Sequence, residues 1–319
     1  MDISFYVNTL GQSLLAQYGQ RVHKVALNVG FTCPNRDGSK GTGGCTFCNN
    51  ASFSPEARLT RPLAEQLASG GRAVHKITGA RKLIAYFQAY TNTYADIERL
   101  RLLYEEALEY PDVIGLSIGT RPDCVPQEVL DLLCEFQQKG HDIWLELGLQ
   151  SAFNDTLKRV NRGHGLEEYA ETAQKARAMG LKVCTHLILG LPNESLTHAQ
   201  ITLSTVLGLG TDGLKLHPLH VVKATKLAHE WRLGQYEPLT QEDYIEQCID
   251  LITHTPPDIV FHRLTGTAPP EMLITPAWCQ HKWPVINGIA KRLAERGLSQ
   301  GSALGQPWHK RSNHLGIAV

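Results

Sequence analysis

Cys33, Cys45 and Cys48 stand together in CPNRDGSKGTGGCTFC, spaced C-x11-C-x2-C with no histidine between them. Three thiolates suit an iron–sulfur cluster in which one iron has no protein ligand and stays open to an exchangeable small molecule. Glycines 38, 41, 43 and 44 let the backbone wrap such a cluster closely and turn N–H groups toward its sulfurs. The same thiols would also serve zinc, given a fourth ligand such as His23 or Cys184.

A second concentration of chemistry lies in KLHPLHVVK, which carries Lys215, His217, His220 and Lys223. Alternate residues of a strand share a face, so Lys215 and His217 point together at a pocket, while Lys223 is solvated. Cys124 follows TRPD and is a candidate for substrate-side chemistry. The other cysteines, 134, 184, 248 and 279, are scattered singly and read as buried thiols. His262 and Arg263, in DIVFHRL, either contact substrate or are merely solvated or packed.

The elements that must position these groups are short apolar runs alternating with longer amphipathic stretches. Strands are expected at 24–30, 83–90, 113–120, 142–150, 182–190 and 213–221. The helical stretches between them are punctuated as helices require: Pro126 opens one that Gly140 closes, and Gly180 and Gly210 close two more. The pattern predicts an α/β fold, a partial (β/α)6 TIM-like barrel of parallel strands. Polar residues gather at the strands' C-terminal ends, the rim where such folds bind ligands. After residue 228 the rhythm changes, and residues 229–319 read as a small C-terminal α/β extension packed on a core formed by 1–228. Its first helix starts at Thr240, followed three residues later by Asp243.

The 319 residues carry 31 Lys+Arg and 31 Asp+Glu, a formal net charge of zero. Composition therefore gives no case for a nucleic-acid partner, which would need a local basic patch. No apolar run is long enough to span a membrane, and the N-terminus lacks a signal-peptide pattern. A cytoplasmic location is expected, where eight cysteines serve as thiols or ligands rather than disulfides.

A three-cysteine loop after the first strand of a partial barrel, with Phe47 just before the last cysteine, resembles the radical S-adenosylmethionine superfamily. GLQSAFNDTLKRVNRGH (148–164) is similar to a strand-4 signature shared by oxygen-independent coproporphyrinogen oxidases and the Elongator catalytic subunit. GTRPD resembles the Elongator-type ETRPD, and LILGLPNES the strand-5 motif of the group. YGQRVHK, CPNRDG, YFQAYTNT, WLELGLQ and KLHPLH extend the likeness over nearly the whole chain, toward the YhcC/YtqA branch.

The resemblance implies that Cys33, Cys45 and Cys48 ligate a 4Fe–4S cluster and that its open iron chelates S-adenosylmethionine. Reductive cleavage of that molecule to a 5′-deoxyadenosyl radical is the implied chemistry, with an electron donor such as flavodoxin or ferredoxin. Phe47 would line the adenine side, Gln150 would hydrogen-bond the ribose or methionyl group, and Arg162 would pair with the carboxylate. His186 stands where coproporphyrinogen-oxidase relatives carry an Asp, and it either bonds the ribose or is a satisfied core histidine. QAYTNT replaces the stretch that grips the methionyl amine, leaving Gln88, Tyr90 and Thr91 as local candidates. Gly119 replaces the Glu of ETRPD, so Arg121 and Asp123 are expected to pair with each other.

For substrate, the resemblance implies a tRNA wobble uridine, its carboxymethylaminomethyl side chain being processed toward aminomethyl. Arg21, His23 and Lys24, KITGARK (76–82), KRLAER and WHKRSNH are the basic groups on offer, with Trp278, Trp283 and Trp308 as aromatics that could stack bases. A radical enzyme acting on a small molecule, and a zinc-stabilised binding module without catalysis, are the alternatives.

Overall fold

The structure, a computed structural model, describes residues 2–49 and 61–310. Strands β1 (Val22–Leu27), β2 (Lys82–Phe87), β3 (Val113–Thr120), β4 (Asp142–Gln150), β5 (Lys182–Leu189) and β6 (Gly213–Pro218) lie side by side in chain order, all parallel. Their buried side chains are mostly Val, Ile and Leu, as expected for a sheet covered on both faces. Helices α1 (Leu10–Tyr18), α2 (Leu63–Thr78), α3 (Ile97–Leu108), α4 (Gln127–Gln138), α5 (Asn154–Arg159), α6 (Leu166–Ala178) and α7 (Leu196–Gly208) lie before and between these strands. Gly140, Gly180 and Gly210 sit just past α4, α6 and α7 with φ of +92°, +79° and +87°, left-handed conformations that stop a helix and favour glycine.

The parallel α/β partial barrel expected from the sequence is present, and its sheet also takes in the strand of DIVFHRL, expected in the C-terminal extension. Residue 228 does not end the sheet. β7 (Val221–Val222) pairs antiparallel with β9 (Leu273–Thr275), α8 (Lys226–Arg232) runs across residue 228, and after α9 (Gln241–Thr253) the chain adds β8 (Val260–Arg263) parallel to β6. The expected run 213–221 divides at this point because Val221 and Val222 leave the barrel to join β9. Helix α10 (Lys282–Glu295) packs against α9. Strand β1 stops at Leu27 because the amide of Asn28 is taken by the Gln66 side chain at 2.9 Å, not by a strand neighbour.

The two sheet edges are stitched by the N-terminal segment. Phe261 N donates to Asn8 O at 2.8 Å, and Thr9 bridges Phe261 in parallel. Leu14 of α1 packs on Val22 and Ile84, and Leu10 reaches toward Trp144, Cys184 and Val260, so α1 plugs the end of the barrel where the strands begin. The opposite end, where the strands finish, stays open. No helix among the described residues is long and apolar enough to cross a membrane.

Candidate active site

Strand ends and the cysteine loop enclose a cavity of about 250 Å³ at the open end. Its lining includes Cys33, Cys45, Phe47 and Cys48 from the loop, Gln88, Gln150 and Arg162 around the rim, and His186 and His217 deeper in. All of the residues carried over by resemblance are thus brought to one wall or another of a single chamber. Tyr90 and Thr91 line it as well.

The loop's shape is held by the strand-4 motif. Asn161 Nδ2 donates to Gly44 O at 2.8 Å, Asn35 Nδ2 donates to Asn161 O at 2.5 Å, and Thr46 N donates to Val160 O at 2.9 Å. Arg162 Nη1 approaches Cys45 Sγ at 3.6 Å, and its Nη2 donates to Gly148 O at 2.6 Å. A Cβ at position 148 would sit 2.7 Å from Arg162 Nη2, so glycine there lets the guanidinium reach the strand. Arg121 in turn donates to the carbonyls of Arg162 and Gly163 and to Asp123 at 2.9 Å, the pairing expected from GTRPD. Burial would raise the Asp123 carboxyl, but Arg121 and Lys40 pull it down to about 2.

The pKa of Cys48 is pushed up to about 11 by burial and by the neighbouring Cys45 and Cys33. Tetrahedral zinc holds its sulfurs about 3.8 Å apart, given Zn–S bonds of about 2.3 Å. Among the described residues, the side chains whose ligand atoms all fall within 4.8 Å of one another are Glu146, Cys184 and His186, and the loop thiols form no such set. His23 is exposed with its ring turned to Lys24 O, and Cys184 is fully buried on the inner face of β5, so neither completes a zinc site with the loop. The wider spacing and the purely sulfur donor set fit a cluster better than a single ion. Arg162 Nε, buried with no partner, is a donor left over for an anion bound beside the loop.

Gln150 has φ of +82° at a register shift where β4 ends, and Tyr90 has φ of +65° after β2. Both are non-glycine residues in the left-handed region, and both line the cavity. Strain of this kind collects where side chains must be aimed at a ligand.

One layer below the cavity lies a buried charge network that spacing alone did not disclose. Glu146 of β4 accepts from Lys24 of β1 at 2.5 Å, from His186 Nε2 at 2.7 Å, and from Lys215 and Ser117. Lys215 also donates to Tyr86 OH at 2.8 Å. Burial would raise the Glu146 carboxyl, but Lys215 and Lys24, with His186 and His262, hold it well below its ordinary value. Burial and Lys215 lower His186 to about 4, so the ring is neutral at pH 7 and donates to Glu146. Glu146, Cys184 and His186 form no free metal site, because the carboxylate is already saturated by two ammonium groups.

Two residues expected at the pocket lie outside its lining. Lys215 shares a face with His217 but stays below the cavity, held by Glu146 and Tyr86. Cys124 also lies outside the lining, and burial pushes its thiol up to about 12, so it is a protonated packing group. The other scattered cysteines are buried, as expected.

The expected stacking aromatics are committed elsewhere: Trp278 Nε1 donates to Leu239 O and Trp308 Nε1 to Ser4 O, while Trp283 is exposed but away from the cavity. Arg292 and Arg296 of KRLAER are paired with Glu242 and Glu246. Residues 311–314 of WHKRSNH lie outside the described residues.

The model of the radical SAM superfamily matches residues 27–206, and that of the Radical_SAM C-terminal domain matches residues 211–295. The chain belongs to the radical SAM superfamily. It is 48% identical over 308 residues to protein YhcC of Escherichia coli (strain K12), covering 97% of this chain and 98% of that one. YtqA of Bacillus subtilis (strain 168) is 41% identical over 92% of this chain and 91% of its own length. Among solved structures, archaeal Methanocaldococcus infernus Elp3 shares the fold with a TM-score of 0.68 and 21% identity, covering 88% of this chain and 64% of that one.

Radical SAM enzymes use a 4Fe–4S cluster and S-adenosylmethionine, which together supply hydrogen-atom abstraction from a substrate carbon. Around that chemistry, this chain's own residues do the positioning. The plug of α1 and the network around Glu146 seal the far end of the barrel. Apolar walls such as Ile188, Leu219 and Phe47 keep water from the chamber, and Tyr86, Gln88 and the histidines offer directional hydrogen bonds.

Proposed function

We propose that this radical SAM enzyme acts on the side chain of a tRNA wobble uridine, taking a carboxymethylaminomethyl group toward aminomethyl. In this reading Cys33, Cys45 and Cys48 hold the cluster, Arg162 receives the S-adenosylmethionine carboxylate, and Phe47, Gln88, Gln150 and His186 contact the rest of that molecule. A small electron-transfer protein such as flavodoxin or ferredoxin supplies the electron.

The observation that carries the substrate reading is the charge of the chamber. Among the described residues its lining holds Arg36, Arg121, Arg162 and Arg263 with three histidines and no Asp or Glu. A chain of zero net charge thus concentrates positive groups where the substrate enters, which removes the compositional objection to a polyanionic partner. The partial likeness to Elongator complex protein 3 of Schizosaccharomyces pombe, 30% identical over 159 residues, 49% of this chain and 28% of that one, supports the same reading.

The test is nucleoside mass spectrometry of tRNA from a strain lacking the gene and any redundant pathway. Carboxymethylaminomethyluridine should accumulate and aminomethyluridine should fall. Unchanged wobble uridines would move the assignment to a free small molecule.

A further inference from the structure

Arg263 differs from the other arginines of the chamber. Arg36 donates to Cys48 O at 2.5 Å, Arg121 is paired with Asp123, and Arg162 is tied to Gly148 O. Among the described residues, Arg263 has neither a hydrogen-bond partner nor an ion-pair partner, although it lines the cavity. Lys215, His186, His217 and Tyr86 all feel its charge and offer it no counter-charge, and the carboxylate of the layer beneath, Glu146, is already shared by Lys24 and Lys215.

The fold aims this side chain deliberately. In the β6–β8 pairing, Leu214 faces Phe261 but Lys215 faces Arg263, so His262 is an extra residue in β8. A bulge of this type lets two successive side chains turn to one side of the sheet. His262 goes to the floor, 3.0 Å from Lys24 Nζ, and Arg263 goes to the chamber. Without the extra residue, Arg263 would point at the helices.

We propose that Arg263, with His217 beside it, receives a carboxylate of the substrate, making it a specificity-determining residue rather than a catalytic one. A partly buried guanidinium with no counter-ion is costly until an anion arrives, and its planar fork matches a carboxylate. A carboxylate suits the site better than a phosphate dianion, because among the described residues Arg263 is the one arginine of the lining whose side chain has no partner. Burial and Arg263 itself keep the neighbouring His217 well below its ordinary pKa, so that ring is neutral and contributes a hydrogen bond rather than a second charge. Resting on the proposed function, the carboxylate is the end of the carboxymethylaminomethyl group, placed deep in the chamber with the tRNA outside.

The test uses the full chain with its cluster reconstituted and trifluoroacetate as the probe, followed by ¹⁹F NMR. Wild type should show a saturable site that weakens about tenfold or more in Arg263→Gln, the scale of a charge-assisted hydrogen bond, and less in Arg263→Lys. S-adenosylmethionine affinity and its substrate-free cleavage should stay within about twofold of wild type in both variants, which also certifies the fold. Acetate should displace the probe better than inorganic phosphate. Equal probe binding by wild type and Arg263→Gln, or displacement chiefly by phosphate, overturns the carboxylate assignment. Free 5-carboxymethylaminomethyluridine should compete where 5-aminomethyluridine does not. If acetate competes and that nucleoside fails, the carboxylate site stands and the uridine reading falls.

Discussion

Arg162 Nη1 lies 3.6 Å from Cys45 Sγ while Nη2 of the same guanidinium donates to Gly148 O at 2.6 Å. One side chain therefore ties the cysteine loop to the end of β4 and still presents an unpartnered Nε. The strand-4 motif and the cysteine loop are a single device: Asn161 braces the loop backbone, and Arg162 faces both the sulfur and the ligand position.

Replacing Arg162 with Lys keeps the charge but loses the planar fork. S-adenosylmethionine should bind about 10- to 100-fold more weakly, the range of about 1.5–3 kcal/mol for a charge-assisted hydrogen bond. Iron content should remain close to wild type. Equilibrium dialysis with labelled S-adenosylmethionine checks the first statement, and metal analysis the second.

Glu146→Gln leaves Lys24 and Lys215 buried without a counter-charge. Removing one partner from a buried ion pair costs about 3–5 kcal/mol, so chemical denaturation should show a loss of that order. The pH dependence has a definite sign. Glu146 is held well below 4.5 in the fold, so its stabilisation is fully present above 4.5 and is lost as pH falls below that value. The acid limb of the wild-type stability curve should be shallower in Glu146→Gln.

Gly44 has φ of +79°, and a Cβ there would lie 2.9 Å from Arg36 Nε. Gly44→Ala combines a left-handed conformation, costing about 1–2 kcal/mol, with displacement of the arginine that donates to Cys48 O. The variant should fold with a lowered melting temperature and lose its cluster faster in air. Differential scanning calorimetry and the decay of visible absorbance report the two effects separately.

The barrel and the cysteine loop were legible in the sequence because both are local. Strands 113–120 and 142–150 were read at the bounds observed, since continuous apolar runs between turn residues leave little choice. The placement of DIVFHRL was not, because periodicity marks a strand without naming its neighbour. Nor was the Glu146 network, although its signal was present: a charged residue lies inside each of β1, β4 and β6, as Lys24, Glu146 and Lys215, and buried charges of opposite sign tend to meet. Arg263 was open between substrate contact and packing, because only the β8 bulge, invisible to spacing, turns it inward.

The central claim is that the loop thiols, and none of the scattered ones, hold a 4Fe–4S cluster. Iron, sulfide and zinc should be measured in anaerobically reconstituted wild type, Cys33→Ala and Cys134→Ala. Wild type should hold about four irons and four sulfides per chain, Cys134→Ala the same, its position 134 being buried on α4, and Cys33→Ala no stable cluster. One zinc per chain in wild type, or equal loss of iron in both variants, would contradict it.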